Sequence, residues 1–198
     1  MTLADLVSDL PAVELAAGAT LPATGPSSAA LLVVDEGLVV LRSVVPGSAR
    51  RTIVCHAGTG GLILAPAEGE SLSALTDCRL VLISDEARER LLRSPEAGAL
   101  LVDGLAETLR QKHATIVSMS LLHHVERVRD KLIELARAHG RVGPHGIRLD
   151  FPLTHDLLGE MTGSARETVT RALDELQREG FVWRNGRTYS LHVPPESL

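Results

Sequence analysis

Aromatic side chains are nearly absent from this chain: one tryptophan, one tyrosine and two phenylalanines, 2% of 198 residues. Aliphatic packing must therefore carry the core. Cysteine is almost as scarce. Cys55 and Cys78 are too few and too far apart for a disulfide framework, a thiolate cluster or the usual four-thiolate iron–sulfur site. No apolar run approaches the length of a membrane span, and the first residues lack the basic-then-apolar order of a secretory signal. These absences point to a soluble protein of a reducing cytoplasm. An excess of basic charge is missing too, since the formal net charge is −5. Residues 1–92 carry six Lys+Arg against eleven Asp+Glu, residues 93–145 eight against six, and residues 146–198 six against eight. A search for a nucleic-acid binder on bulk charge would pass this sequence by.

What is present suggests several parts in series. Hydrophobic residues make up 44% and charged residues 23%, an ordinary globular balance, and the length suits two small domains. Leu3, Leu6, Val7 and Leu10 could line a short helix. From Pro11 to Ser84 short apolar runs alternate with turn residues, as in a β-roll or sandwich. Ala30–Val34 and Leu38–Leu41, separated by Asp35-Glu36-Gly37, read as a hairpin, and Pro46-Gly47 marks a further turn. Arg51–His56 and Val81–Ile83 read as strands, and Ser84 can cap a helix over 85–92. Residues 94–122 read as one long helix with Pro95 near its start. In it Leu105, Leu109, Lys112, Ile116 and Met119 keep a four–three spacing that suits a coiled-coil seam, with Lys112 snorkelling.

After His123-His124 the spacing predicts a helix over 125–139, with Val128, Leu132, Leu135 and Ala136 inward and Gly140 as its stop. Adjacent histidines point about 100° apart on a helix, so they do not chelate as an i,i+4 pair would. They read as a solvated pair, with a pH sensor as the sharper alternative. A loop follows over 141–150, leading into a short strand at 147–151. Then come two short helices. Thr154 can cap the first, which turns Leu157, Leu158 and Met161 inward, and Gly163 supplies the turn. Ser164, with Glu167 three residues on, has the spacing of a capping box for the second. Val169, Ala172, Leu173 and Leu176 form its buried stripe. Phe181 to Leu191, around Asn185-Gly186, reads as a hairpin with a type I′ turn.

Helix, turn, helix and hairpin in that order make a winged helix. The outward residues of the second helix could simply pair at i,i+4, Glu167 with Arg171 and Asp174 with Arg178. The segment G-S-A-R-E-T-V-T-R-A-L-D-E-L, however, closely resembles the recognition motif of the Crp/Fnr superfamily of bacterial transcription regulators. The segment V-E-L-A-A-G-A-T-L, with Gly25 and Gly37 beyond it, resembles the opening of that superfamily's cyclic-nucleotide-binding β-roll. The resemblance implies an α+β chain in three parts: a sensor-like roll over 1–93, a central dimerisation helix and hinge over 94–124, and a winged helix-turn-helix over 125–198.

It also implies a homodimer on double-stranded DNA, with Leu105, Leu109, Ile116 and Met119 at the dimer interface. Arg166 and Arg171 would each donate to guanine, Glu167 would accept from cytosine, and Thr170 would lie among these base contacts. Thr154, Ser164, Thr168 and Arg187 would touch phosphates. Catabolite-activator-like members with these residue types read a T-G-T-G-A half-site. His155 stands where those relatives have a basic residue. RNA polymerase is a further candidate partner.

One departure stands out. Members that bind cyclic nucleotides carry a cassette with a glutamate for the ribose and an arginine for the phosphate. Here residues 58–78 run G-T-G-G-L-I-L-A-P-A-E-G-E-S-L-S-A-L-T-D-C, and no arginine lies between Arg51 and Arg79. Burying a phosphate without a cation is costly, and Glu68 and Glu70 would add repulsion. Gly58, Gly60 and Gly61 could form an anion-binding nest, but a Gly-rich surface turn is the simpler reading. Regulation independent of cyclic AMP is therefore expected, with no cofactor and no metal. His113, His139, His145, His155 and His192 show no ligand spacing, and no nucleophile motif suggests an enzyme. The alternatives are a regulator gated by another small effector, an architectural DNA binder of low specificity, and a protein–protein module with a vestigial winged helix.

Overall fold

The computed structural model describes residues 2–23, 29–44, 47, 51–143, 146–186 and 188–192, with the side chains of residues 29 and 30 excepted. Gly25, Pro46, His145 and Arg187 lie outside the described residues. The chain divides into two compact units, Met1–His113 and Ala114–Leu198.

The first unit opens with helix α1 (Leu3–Val7), capped reciprocally by Thr2 and Asp5. Eight strands follow: β1 (Ala12–Leu15), β2 (Thr20–Pro22), β3 (Ala29–Glu36), β4 (Leu38–Val44), β5 (Arg51–Gly58), β6 (Leu62–Leu64), β7 (Glu70–Ala74) and β8 (Cys78–Ser84). They form two four-stranded antiparallel sheets, β1-β8-β3-β6 and β2-β7-β4-β5. Helix α2 (Asp85–Leu92) is capped by Ser84, whose Oγ accepts from the Ala87 N–H. Helix α3 (Pro95–Leu121) begins after Ser94, whose Oγ accepts from the Ala97 N–H.

Leu32 and Val34 of β3 point into the space between the sheets, among Val39, Leu41, Cys55, Ile63, Leu72 and Leu80. Leu31 and Val33 point the other way, onto Leu3, Val7, Ala87, Leu91, Ala97 and Leu101 of the three helices. The first sheet is thus covered on both faces. That is why its strands read as continuous apolar runs rather than alternating ones. It also overturns the hairpin expected across Asp35-Glu36-Gly37. β3 and β4 lie in different sheets, and the chain changes sheet at Gly37 with φ +93°. A Cβ there would sit 2.3 Å from the Asp77 carbonyl oxygen, so glycine is required by space as well as by backbone angle.

Helix α3 lies directly on the roll. The Thr108 hydroxyl donates to the Leu62 carbonyl (3.3 Å), and the His56 N–H donates to Gln111 Oε1 (3.2 Å). At Gly104 a Cβ would come within 2.8 Å of the Leu62 side chain. The glycine run before β6 is engaged internally: the Gly60 N–H donates to the Val34 carbonyl and the Gly61 N–H to the Gly58 carbonyl. Those two donors do not converge on an empty nest. Burial pushes the Cys55 thiol up to about 11.

The second unit contains the end of α3, α4 (His124–His139), β9 (Arg141–Gly143), β10 (Gly146–Leu149), α5 (His155–Thr162), α6 (Arg166–Arg178), β11 (Val182–Asn185) and β12 (Thr188–Leu191). Val128, Leu132, Leu135, Leu158, Val169, Leu176, Leu149, Tyr189 and Leu191 are all buried within it. The strands form one sheet in the order β11-β12-β10-β9. Three expectations change. Residues 141–143 form a strand rather than loop, paired with β10. Gly140 is extended, at φ −77° and ψ 153°, and glycine serves there because a Cβ would meet Ile147 at 2.3 Å. In the wing, Asn185 ends β11 opposite Thr188, without a positive φ. The positive angle after β11 is carried instead by Gly186 (φ +63°), the residue that accepts it at no steric cost.

Candidate nucleic-acid interface

The Thr154 hydroxyl accepts from the Leu157 N–H (3.1 Å) and starts α5. Its own hydrogen stays available to an incoming acceptor. Gly163 ends α5 in the left-handed region at φ +61°, and the Ser164 N–H returns to the Gly159 carbonyl (3.0 Å). Ser164 does not cap α6, contrary to the sequence reading. Ala165 is the N-cap and supplies no side-chain bond. The Ser164 hydroxyl instead bonds the Thr162 carbonyl (3.3 Å) and lies 3.2 Å from His124 Nδ1. These partners take the place of the local cap, and the first N–H groups of α6 receive no capping side chain.

Helix α6 buries Val169, Ala172, Leu173 and Leu176 and exposes Arg166, Glu167, Arg171, Asp174 and Arg178. It ends with Gly180 at φ +73° as the Phe181 N–H reaches the Leu176 carbonyl (2.9 Å). Among the described residues neither Glu167–Arg171 nor Asp174–Arg178 forms an ion pair. Arg171 Nε makes only a long bond to the Glu167 carbonyl (3.4 Å). Arg166 lies 3.6 Å from Asp156, with both side chains about two-thirds exposed, a pair worth little in water. The outward row is thus formed of charges without strong partners inside the protein.

Thr170 is differently placed. Its hydroxyl donates to the Arg166 carbonyl (3.0 Å) and lies 2.7 Å from His155 Nδ1, so its methyl is the part left for a base. His155 is half-buried at the start of α5. Burial, then the charges of Arg184 and Arg166, hold its imidazole below the ordinary histidine range. Thr168 is half-buried, and its hydroxyl has no protein partner among the described residues. Arg148 is neutralised by Asp150, which it meets through two nitrogens, and the pair holds the Asp150 carboxyl below the usual range. Arg187 lies outside the described residues.

Two features of the wing and hinge escaped the sequence reading. Trp183, 58% exposed, packs edge-on to His192 at 6.2 Å between ring centroids. His124 is not simply solvated: it touches both Ser164 and Arg127. Along α3, Leu105, Leu109 (68% exposed) and Ile116 (64%) are exposed, and Val102 (62%) extends their row. Met119 is half-buried beside Gly163. Among the described residues no group of three His, Cys, Asp or Glu side chains could hold a metal ion, and no helix is long and apolar enough to cross a membrane.

A β-roll, a long helix and a winged helix-turn-helix whose outward row lacks strong internal partners define a helix-turn-helix architecture. The Crp-like helix-turn-helix domain family matches residues 126–195. The global nitrogen regulator of Synechocystis sp. is 28% identical over 110 residues, 56% of this chain and 49% of that protein. The chain thus matches about half the length of that relative. The CRP-like cAMP-activated global transcriptional regulator of Mycobacterium tuberculosis is 24% identical over 193 residues, 94% of this chain and 86% of that one. In fold, the chain is similar to a doubly substituted CooA from Carboxydothermus hydrogenoformans, with a TM-score of 0.78 at 18% identity over 96% of this chain and 86% of that one. These likenesses support placing the chain with the Crp/Fnr superfamily.

Proposed function

We propose that the protein is a sequence-specific transcription regulator that binds double-stranded DNA as a homodimer, without cyclic AMP. The observation that carries this reading is the outward row of α6. Arg166, Glu167 and Arg171 project from the exposed face of a helix whose other face is locked into the core, and no strong internal ion pair must break before they meet base edges. The half-site is close to T-G-T-G-A, repeated as an inverted palindrome, with Thr154, Ser164, Thr168 and Arg187 on phosphates and the Thr170 methyl among the base contacts. The exposed apolar row of α3 supports dimerisation through Leu105, Leu109 and Ile116, with Met119 at its end and residues 94–124 as dimerisation helix and hinge.

Independence from cyclic AMP has separate support. The mycobacterial relative is named as cAMP-activated, but residues 58–78 of this chain hold no arginine for a cyclic phosphate. The glycine-run N–H groups at 60 and 61 bond within the roll, and Thr108 and Gln111 of α3 bond the roll itself. The test is selection from a randomised duplex library at near-physiological salt, with and without cyclic AMP. One palindrome recovered without nucleotide is the expected result. Recovery only with nucleotide refutes the reading of the cassette, and a flat profile identifies an architectural binder instead.

A further inference from the structure

His155 sits at a junction of three elements. Its own helix contributes Asp156, α6 contributes Arg166, Thr170 and Asp174, and β11 contributes Arg184. The hydrogen-bond chain determines its tautomer. The Thr170 hydroxyl has one hydrogen, which goes to the Arg166 carbonyl at 3.0 Å. The 2.7 Å contact between Thr170 Oγ1 and His155 Nδ1 must then be filled by a hydrogen on Nδ1. In the neutral ring Nε2 is left as a bare acceptor, with no protein partner among the described residues. A group of this kind repels a phosphate oxygen. One proton added at Nε2 turns it into a charged donor, and the Nδ1–H bond to Thr170 remains as it was.

We propose that His155 is a proton-linked phosphate contact, so that binding to DNA takes up a proton at its Nε2 and tightens as the pH falls. The inference rests on the DNA-binding reading above. In the free protein, burial and the two arginines keep the ring neutral at neutral pH. DNA brought close to Arg166 and Arg184 offsets their field and supplies an anion, both of which favour the protonated ring. The sign follows from linkage. The complex binds more protons than the free protein over the interval between the lowered free value and the raised bound one, so affinity rises as pH drops through that interval. The limit is about tenfold per pH unit for each half-site. Because a phosphate contact carries no base information, the effect is the same on any sequence.

The experiment measures binding of the full chain to a random-sequence duplex at constant ionic strength between about pH 5.5 and pH 8, the range over which histidine titrates. His155→Gln and His155→Arg are compared with wild type, and each variant is first shown to melt cooperatively. Wild type is expected to gain affinity with acidification. Its salt slope should steepen by about 0.9 per half-site as one more phosphate is neutralised. His155→Gln should lose that part of the pH dependence and keep the shallower salt slope at every pH. His155→Arg should bind tightly and keep the steeper slope throughout. If His155→Gln retains the wild-type pH and salt slopes, the inference is wrong while DNA binding stands. Absence of salt-dependent DNA binding by wild type at every pH would overturn both.

Discussion

Gly159 and Gly98 both lie within helices at ordinary helical angles, yet opposite outcomes are expected when each becomes alanine. Propensity alone favours both changes, since alanine in a helix interior is better than glycine by about 0.8–1.0 kcal/mol. At Gly98 nothing lies within 4 Å of the added Cβ. The substitution should therefore stabilise, by about 0.5–1 kcal/mol so near the helix start. At Gly159 the Cβ would lie 2.7 Å from the Ser164 carbonyl oxygen, a backbone atom in the turn that the Ser164 N–H ties to the Gly159 carbonyl at 3.0 Å. It cannot rotate away as a side chain could. Overpacking of this sort costs about 1–3 kcal/mol, which outweighs the propensity gain. A net loss of about 1 kcal/mol lowers the melting temperature of a domain of this size by about 4–8 °C. Because the turn must shift to make room, the start of α6 shifts with it, and DNA affinity should fall beyond what lost stability explains. Thermal denaturation followed by circular dichroism, with fluorescence anisotropy on labelled duplex, reads both quantities. Gly159→Ala melting at or above wild type, with unchanged DNA binding, would refute the reasoning.

Further outcomes follow from the same contacts. Arg171→Ala should cost about 1–3 kcal/mol on the selected site and relax one base position, leaving the salt slope nearly unchanged; equal binding of wild type and variant to site and random DNA would remove Arg171 from the recognition set. Leu109→Glu places a charge in the exposed row of α3, and sedimentation should show dissociation to monomers without loss of helix content; an unchanged molecular mass would place the dimer contact elsewhere. Leu158→Ala, at a fully buried position beneath the turn, should destabilise by about 2–5 kcal/mol in urea denaturation. In the DNA-free protein the His155 imidazole is held below its ordinary value, so its contribution to stability is present above the unfolded value and lost as pH falls through that value toward the folded one. Melting temperatures of wild type and His155→Gln should therefore diverge as pH falls below about 6.5, and parallel curves would contradict the assigned environment.

The helices of the second unit were the most legible part of the chain. Thr154, Gly163 and the stripe Val169-Ala172-Leu173-Leu176 are local signals, and the structure uses them as the spacing suggests. Ser84 behaves in the same way ahead of α2. Strand partnership was not legible. Leu31–Val34 is apolar on both faces, so no period distinguishes a hairpin from a strand buried between a sheet and helices, and the change of sheet at Gly37 is set by a neighbour forty residues away. Ser164 had the local chemistry of a cap, but His124 and the Thr162 carbonyl compete for its hydroxyl. A tertiary partner such as His124 leaves no mark in residue spacing. The same holds for Thr170, whose hydroxyl is taken up by His155 from the preceding helix. The glycine at 140 was recognised as a stop, but for the wrong reason: crowding against Ile147, rather than a left-handed angle, requires it.

The division of α6 into a locked inner face and a weakly paired outer face bears on how such a protein changes over time. Arg166, Glu167 and Arg171 take little part in the core, so replacing them changes the exposed face of the helix at little cost to folding. On the proposed reading, a duplicated copy could drift to a new operator through substitutions at these few positions, while Val169, Leu173 and Leu176 keep the domain intact. The constraint falls instead on Gly159 and Gly163, which set the angle at which any such reading head is presented. Divergence of targets within a lineage should therefore be rapid on one side of this helix and slow on the other.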